Sequence, residues 1–245
     1  MAIRKFELVL ESARMVTPRV RELTFTRRDG ELIDYQPGQF VTLHMPHEEQ
    51  MLRRSYSIAS IPEESSQSIA IAVTHVDGGR ATERLFAMEP GDAVDAVGPF
   101  GRFVLRDDSP CRYLLIGTGT GVTPYRAMLP ELERRIDLED FSVELFLGVR
   151  NPEELLYGED FQQCAEKHAG FNFHACFSRV MPESPTAFHY QGYVQDQIDR
   201  VKPDPERDIA YLCGNPEMID TAALKLKELG FPVQNIRREK YISSN

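Results

Sequence analysis

Cysteine, long apolar runs and excess positive charge are all scarce in this chain, and each shortage removes a class of function. The four cysteines are Cys111, Cys164, Cys176 and Cys213. They form no C-x-x-C pair, and no histidine completes a zinc spacing, which argues against a structural zinc site or a cysteine-ligated iron–sulfur centre. A reducing, cytoplasmic setting is expected from them. No run approaches the ~18–20 apolar residues that cross a bilayer. The opening MAIRKFELVL has neither the apolar stretch nor the cleavage site of a secretory signal, so no membrane insertion is expected. With 28 Lys+Arg against 38 Asp+Glu, a formal net charge of −10, the basic footprint of a nucleic-acid binder is missing too. Internal repeats and low-complexity tracts are absent.

What is there is ordinary globular composition, 42% hydrophobic and 27% charged, over 245 residues, which favours two moderate domains. The two halves have different rhythms. Residues 1–107 read as strands and turns: 6–11, 20–26, 39–44 (entered through Pro37-Gly38) and 92–97 (entered through Pro90-Gly91). Ile69, Ile71 and Val73 alternate with Ala70, Ala72 and Thr74, the pattern of a half-buried strand. Five or six such strands predict an antiparallel β-barrel, with one short helix starting near Ala81 or Thr82. Residues 108–245 carry apolar runs at 113–116, 143–149, 171–177 and 209–213 with helical patterns between or after them, which predicts an α/β domain with a mostly parallel sheet. Three helix starts pair a cap residue with proline: Thr123-Pro124, Asn151-Pro152 and Asn215-Pro216. After the last, Ile219, Ala222, Ala223 and Leu226 mark one helical face and Gly230 a stop. The polar Arg106-Asp107-Asp108-Ser109-Pro110 is the expected domain boundary.

Four short segments carry chemistry. Gly117-Thr118-Gly119-Thr120-Gly121 follows a strand and precedes a helix with Pro124 in its first turn; glycines there let backbone approach a diphosphate, and the helix N-terminus supplies N–H donors, although a plain tight turn reads the same way. Arg54-Ser55-Tyr56-Ser57 sets an arginine, an aromatic ring and a hydroxyl along one strand, expected to present them to one side, a set that suits a flavin or an exposed polar face. Gly78-Gly79-Arg80-Ala81-Thr82 precedes the short helix and reads as a second phosphate cradle or a hairpin loop. Cys213-Gly214-Asn215-Pro216 ends a strand and opens a helix, the place where open α/β sheets bind ligands.

In this order, on a barrel followed by an α/β domain, the four segments resemble the ferredoxin–NADP reductase family over nearly the whole chain, and Gly98-Pro99-Phe100-Gly101 resembles the loop that closes its barrel. The resemblance implies an FAD-binding barrel and an NADP-binding α/β domain. It implies an enzyme that passes hydride between nicotinamide and flavin and releases electrons singly; FMN is the weaker alternative to FAD. Ser57 is then expected near flavin N5, with Cys213 and Thr118 beside the nicotinamide, and Glu239-x-Tyr241 resembles the C-terminal pair whose ring covers the flavin. Ser178 and Arg179, with Arg150, are expected to meet a 2′-phosphate, favouring NADP(H) over NAD(H), and Tyr193 to stack on adenine. The expected partner is a separate ferredoxin or flavodoxin, and a monomer is expected. The alternatives are a reductase for an oxygenase or for free flavin, or a flavoprotein subunit without turnover. The first half carries 13 cations against 16 anions, and the second 15 against 22; an acidic carrier would dock on a local arginine patch of the first.

Overall fold

The computed structural model describes residues 5–62, 67–106 and 111–241. Most of the expected boundary segment, residues 107–110, and the four residues after Tyr241 lie outside them. By its own packing the chain divides into two units. The first runs through Leu105 and also takes Thr123–Met128; the second comprises Arg106–Val122 and the chain from Leu129.

The first unit is built on β1 (Lys5–Thr17), β2 (Val20–Arg27), β3 (Phe40–His47), β4 (Gln50–Ser57), β5 (Ser68–Thr74) and β6 (Ala93–Phe100), with α1 (Arg80–Ala87) between the last two. Among the described residues these form one antiparallel sheet ordered β4-β3-β6-β1-β2-β5. Just past β4, Ile58 bridges to Ile71 of β5, joining the two ends of that order and closing the expected barrel. Phe6, Leu8 and Leu10 of β1, Leu23 and Phe25 of β2, and Val41, Leu43 and Met45 of β3 are buried together in its core. Each contributes roughly 1.5–3 kcal/mol by leaving water. The β5 expectation needs correction: residues 69–73 are all buried, including Ala70 and Ala72 at 6% and 7% exposure. The alanines are small enough to be covered on the outer face, and alternation by residue size masked a strand enclosed on both sides.

The second unit contains β7 (Arg112–Thr118), the part of α2 (Thr123–Glu139) from Leu129 onward, β8 (Ser142–Val149), α3 (Gly158–Lys167), β9 (Phe171–Phe177), β10 (His189–Gln191), α4 (Val194–Gln197), β11 (Asp208–Gly214), α5 (Pro216–Glu228) and β12 (Ile236–Lys240). Its described strands make one parallel sheet, ordered β10-β9-β8-β7-β11-β12. The four expected strands are all present; β10 and β12 were not expected, because HYQ and IRREK carry too few apolar residues to read as strands. Register between β7 and β11 is held at their amino ends. There Arg112 meets the 1%-exposed Asp208 through two bonds of 3.0 and 2.6 Å, a bidentate pair that raises the guanidinium pKa.

The three cap–proline expectations separate. Asn215 caps α5, its side-chain oxygen accepting from the N–H groups of Glu217 and Met218, and Gly230 follows with φ +94°. Thr123 does not cap α2: a 3₁₀ turn over Gly119–Val122 runs straight into the helix, so Thr123 is already helical. Asn151-Pro152 opens only the 3₁₀ turn Pro152–Glu154, and α3 starts six residues later. No helix among the described residues is long and apolar enough to cross a membrane. No cluster of His, Cys, Asp and Glu among them is placed to hold a metal ion.

Candidate functional site

In the second unit the chain goes from β7 outward to β8, β9 and β10, then returns to the other side of β7 for β11 and β12. The carboxyl ends of β7 and β11 therefore flank the point where strand order reverses, and a crevice is expected there in any open α/β sheet. The two ends carry Gly117-Thr118 and Cys213-Gly214, so the structure brings two of the sequence-selected segments together. They are joined by side chain and backbone: Thr118 Oγ1 accepts from the Asn215 N–H at 3.0 Å. Gly214, at φ +120°, leaves no room for a Cβ, which would stand 2.7 Å from that oxygen. Gly121 is more constrained still, since a Cβ there would lie 2.3 Å from the Cys213 carbonyl oxygen. Gly119, at φ +52°, faces open space.

Strand β12 adds the C-terminal residues to the same place. Cys213 pairs in register with Glu239, and the Tyr241 N–H donates to the Gly214 carbonyl at 2.9 Å. Burial pushes the Cys213 thiol well above its ordinary range; the nearby Glu239 carboxylate adds to this, and a hydrogen bond from Tyr241 pulls the other way. The sulfur is thus a neutral thiol at physiological pH, with no thiolate nucleophile. Helix α2 has Pro124 in its first turn and no side-chain cap among the described residues, and the 3₁₀ turn Gly119–Val122 leads straight into it, so the N–H groups left for an outside acceptor are those that open the turn. Thr123 Oγ1 is buried there without a partner among them. An uncapped helix start, an orphaned hydroxyl and a glycine facing open space fit a diphosphate.

The ends of β8 and β9 gather a second group. Ser178 N–H donates to the Val149 carbonyl, and the N–H groups of Arg179 and Val180 both donate to that of Arg150. Arg150 and Arg179 are thus neighbours. Their side chains differ: Arg150 holds Glu154 through Nε at 3.0 Å and Nη2 at 2.5 Å, whereas the exposed guanidinium of Arg179 has no partner among the described residues. Tyr193 stands 62% exposed beyond β10, immediately before α4. Sequence reading passed over Glu154; the only signal for it was its position four residues after Arg150.

In the first unit, Arg54 and Tyr56 alternate on β4, and Tyr56 packs against the barrel core. Burial pushes its phenol up to about 12, with Arg54 pulling the other way. Ser57 adjoins Tyr56 rather than lying two residues on, so strand alternation turns it to the opposite face, and it is 5% exposed. The expectation that all three side chains share one side is corrected on that point. Helix α1 starts at Arg80, slightly before the expected position, with Gly79 preceding it and no side-chain cap. Thr82 Oγ1 donates back to the Gly79 carbonyl at 2.9 Å and accepts from the Val76 N–H at 3.3 Å, closing the loop on itself. Ala81 is buried beneath it, and Gly78, at φ +70°, faces open space. The unclaimed first-turn N–H groups and the Arg80 charge fit a phosphate.

Comparison with known proteins matches residues 7–105 to the oxidoreductase FAD-binding domain and residues 115–223 to the oxidoreductase NAD-binding domain. The chain is 33% identical to ferredoxin–NADP reductase B of Sorangium cellulosum, covering 96% of this chain and 97% of that one. It is 27% identical to a subunit of the Na(+)-translocating NADH-quinone reductase of Idiomarina loihiensis, over 98% of this chain and 68% of that one. A cytochrome P450 reductase of Amycolatopsis superposes with a TM-score of 0.86 at 26% identity, covering 99% of this chain and 71% of that one.

Proposed function

The chain belongs to the ferredoxin–NADP reductase family of FAD- and NAD(P)-binding oxidoreductases, and from that premise we propose that it passes hydride between NADP(H) and FAD and single electrons between FAD and a separate ferredoxin or flavodoxin. One arrangement carries the reading: the meeting of Thr118, Cys213, Gly214, Asn215, Glu239 and Tyr241 where strand order reverses. Bound FAD supplies a ring that accepts hydride and gives up electrons singly. The protein contributes alignment, because hydride transfer needs geometry more than acid or base strength.

In this reading residues 1–107 hold FAD, and residues 108–245 hold the nicotinamide nucleotide. Arg54 and residues 78–82 meet the flavin's phosphates, Tyr56 packs on its ring, and Ser57 supplies the hydroxyl near N5. Residues 117–121 and the α2 start around Pro124 take the nucleotide's diphosphate. Cys213, kept neutral by burial, shapes the nicotinamide pocket with Thr118, Gly214 and Asn215, and Glu239 places a carboxylate beside it. Tyr241 covers the flavin ring. Arg179 and Ser178 meet the 2′-phosphate and Tyr193 stacks on adenine; the Arg179 guanidinium, without a partner among the described residues, supports NADPH over NADH, as does the relative named an NADP reductase.

A second reading keeps the chemistry and changes the ends: an NADH-using reductase for an oxygenase. The commitment of Arg150 to Glu154 favours it, as does the likeness to a P450 reductase. Mass analysis of the released flavin, kcat/KM with NADPH and NADH, and turnover with ferredoxin, flavodoxin and oxygenase acceptors separate the two. FAD, NADPH preference and reduction of a small carrier are expected. A protein that binds no flavin overturns both readings, and a wild type that prefers NADH overturns the first.

A further inference from the structure

The Glu154 carboxylate is held from two directions. It accepts both prongs of the Arg150 guanidinium, and its Oε2 also faces the Arg150 backbone N–H at 3.3 Å. The 3₁₀ turn Pro152–Glu154 fixes its backbone, with the Glu154 N–H bonded to the Asn151 carbonyl. A guanidinium fork binds a carboxylate or a phosphate through the same pair of N–H groups. Two neighbouring arginines therefore stand where a 2′-phosphate is expected, and one already carries an internal anion in its fork.

We propose that Glu154 is a specificity-determining residue that competes with the 2′-phosphate of NADPH for Arg150, so that Arg179 alone supplies most of the discrimination against NADH. The inference rests on the reading of Arg150, Ser178 and Arg179 as the 2′-phosphate site. Glu154 acts in two ways. It occupies the fork, and, because its turn and the Arg150 N–H hold it in place, its charge stays near an incoming phosphate dianion even if the Arg150 side chain swings away. Both effects weaken NADPH and leave NADH, which lacks that phosphate, aside.

The test measures binding of adenosine 2′,5′-bisphosphate and of 5′-AMP by calorimetry to the FAD-loaded protein, and the NADPH:NADH ratio of kcat/KM. The two ligands differ only in the 2′-phosphate. Glu154→Gln should tighten the bisphosphate and raise the ratio roughly five- to twentyfold, less than a buried pair would give because the Arg150 and Glu154 side chains are 46% and 22% exposed. Arg150→Ala should lower the ratio less than about threefold in the wild-type background and cancel most of the gain in Glu154→Gln, the non-additivity of a shared fork, leaving only the part that comes from removing the carboxylate charge. Glu154→Asp, which keeps the charge and the fold but shortens the reach, should fall between. If Glu154→Gln leaves bisphosphate binding unchanged while Arg179→Ala weakens it, Glu154 has no such role and the phosphate site stands. If wild type binds the two ligands equally and no variant separates them, the 2′-phosphate site itself fails and takes this inference with it.

Discussion

The two glycine-containing loops that precede helices, residues 78–82 in the first unit and 117–121 in the second, look alike in sequence and are held by different means. The first closes on itself: Thr82 bonds Gly79 and Val76, all within seven residues. The second is closed by a strand almost a hundred residues away, with Gly121 pressed against the Cys213 carbonyl and Gly214 against Thr118. A glycine in such a loop is as much a concession to the protein's own backbone as to a ligand. The difference also bears on robustness: a local closure survives small changes elsewhere, whereas the long-range one couples residues 117–121 to the order of β7, β11 and β12.

That contrast predicts a ranking. Gly121→Ala should cost about 3 kcal/mol or more in urea unfolding, since backbone must shift to relieve a 2.3 Å approach. Gly79→Ala should cost about 1–2 kcal/mol, because one of its close neighbours is the Thr82 hydroxyl, which can turn. Gly119→Ala should cost only about 1 kcal/mol, the price of a positive φ with open space around it. An inverted order would break the comparison. Next in size, Arg179→Ala should lower kcat/KM for NADPH roughly ten- to a hundredfold and barely touch NADH; equal losses would mean a structural role. A first-unit change sharpens the contrast: Ser57→Ala should slow flavin reduction about tenfold in stopped flow with flavin loading retained, an effect on the transition state rather than on binding.

Alkaline pH should act on the second unit first, because it contains all four cysteines. Burial raises the Cys176 thiol from 9.0 to about 12. Below pH 9 both the folded and the unfolded chain keep that proton, and stability is unaffected. Between pH 9 and 12 the unfolded thiol ionises while the folded one does not, so stability falls by about 1.4 kcal/mol per pH unit. Limited proteolysis across that range should cut the second unit before the barrel. Smallest of all, Asn215→Ala should cost about 1 kcal/mol for the lost cap on α5. Asn151→Ala should be neutral or slightly stabilising in the same assay, since its buried side-chain oxygen has no partner among the described residues.

The asparagine pair shows how far local sequence reaches. Asn-Pro reads identically at both positions, yet only Asn215 follows a strand that delivers it to a helix of thirteen residues, while Asn151 meets a single turn. Patterns that depend on near neighbours were legible: the barrel strands, the parallel strands 113–116, 143–149, 171–177 and 209–213, and the α5 face with its glycine stop. Strand β12 was not, because its only buried residue is Ile236 and its pairing comes from β11. Nor was the enclosure of β5, which depends on what covers two alanines.

The amino-acid sequence by itself determined the two architectures, the family and the residues worth watching, since periodicity, turn chemistry and motif order are written in consecutive positions. Only the tertiary structure decided which of those residues meet. It set Cys213 beside Glu239 and Tyr241, bound Asn215 to Thr118 and gave Arg150 to Glu154 while leaving Arg179 without a partner among the described residues. The physical reason is that a hydrogen bond or an ion pair forms at about 3 Å in space, and parallel strands bring residues to that distance through a register no local window contains.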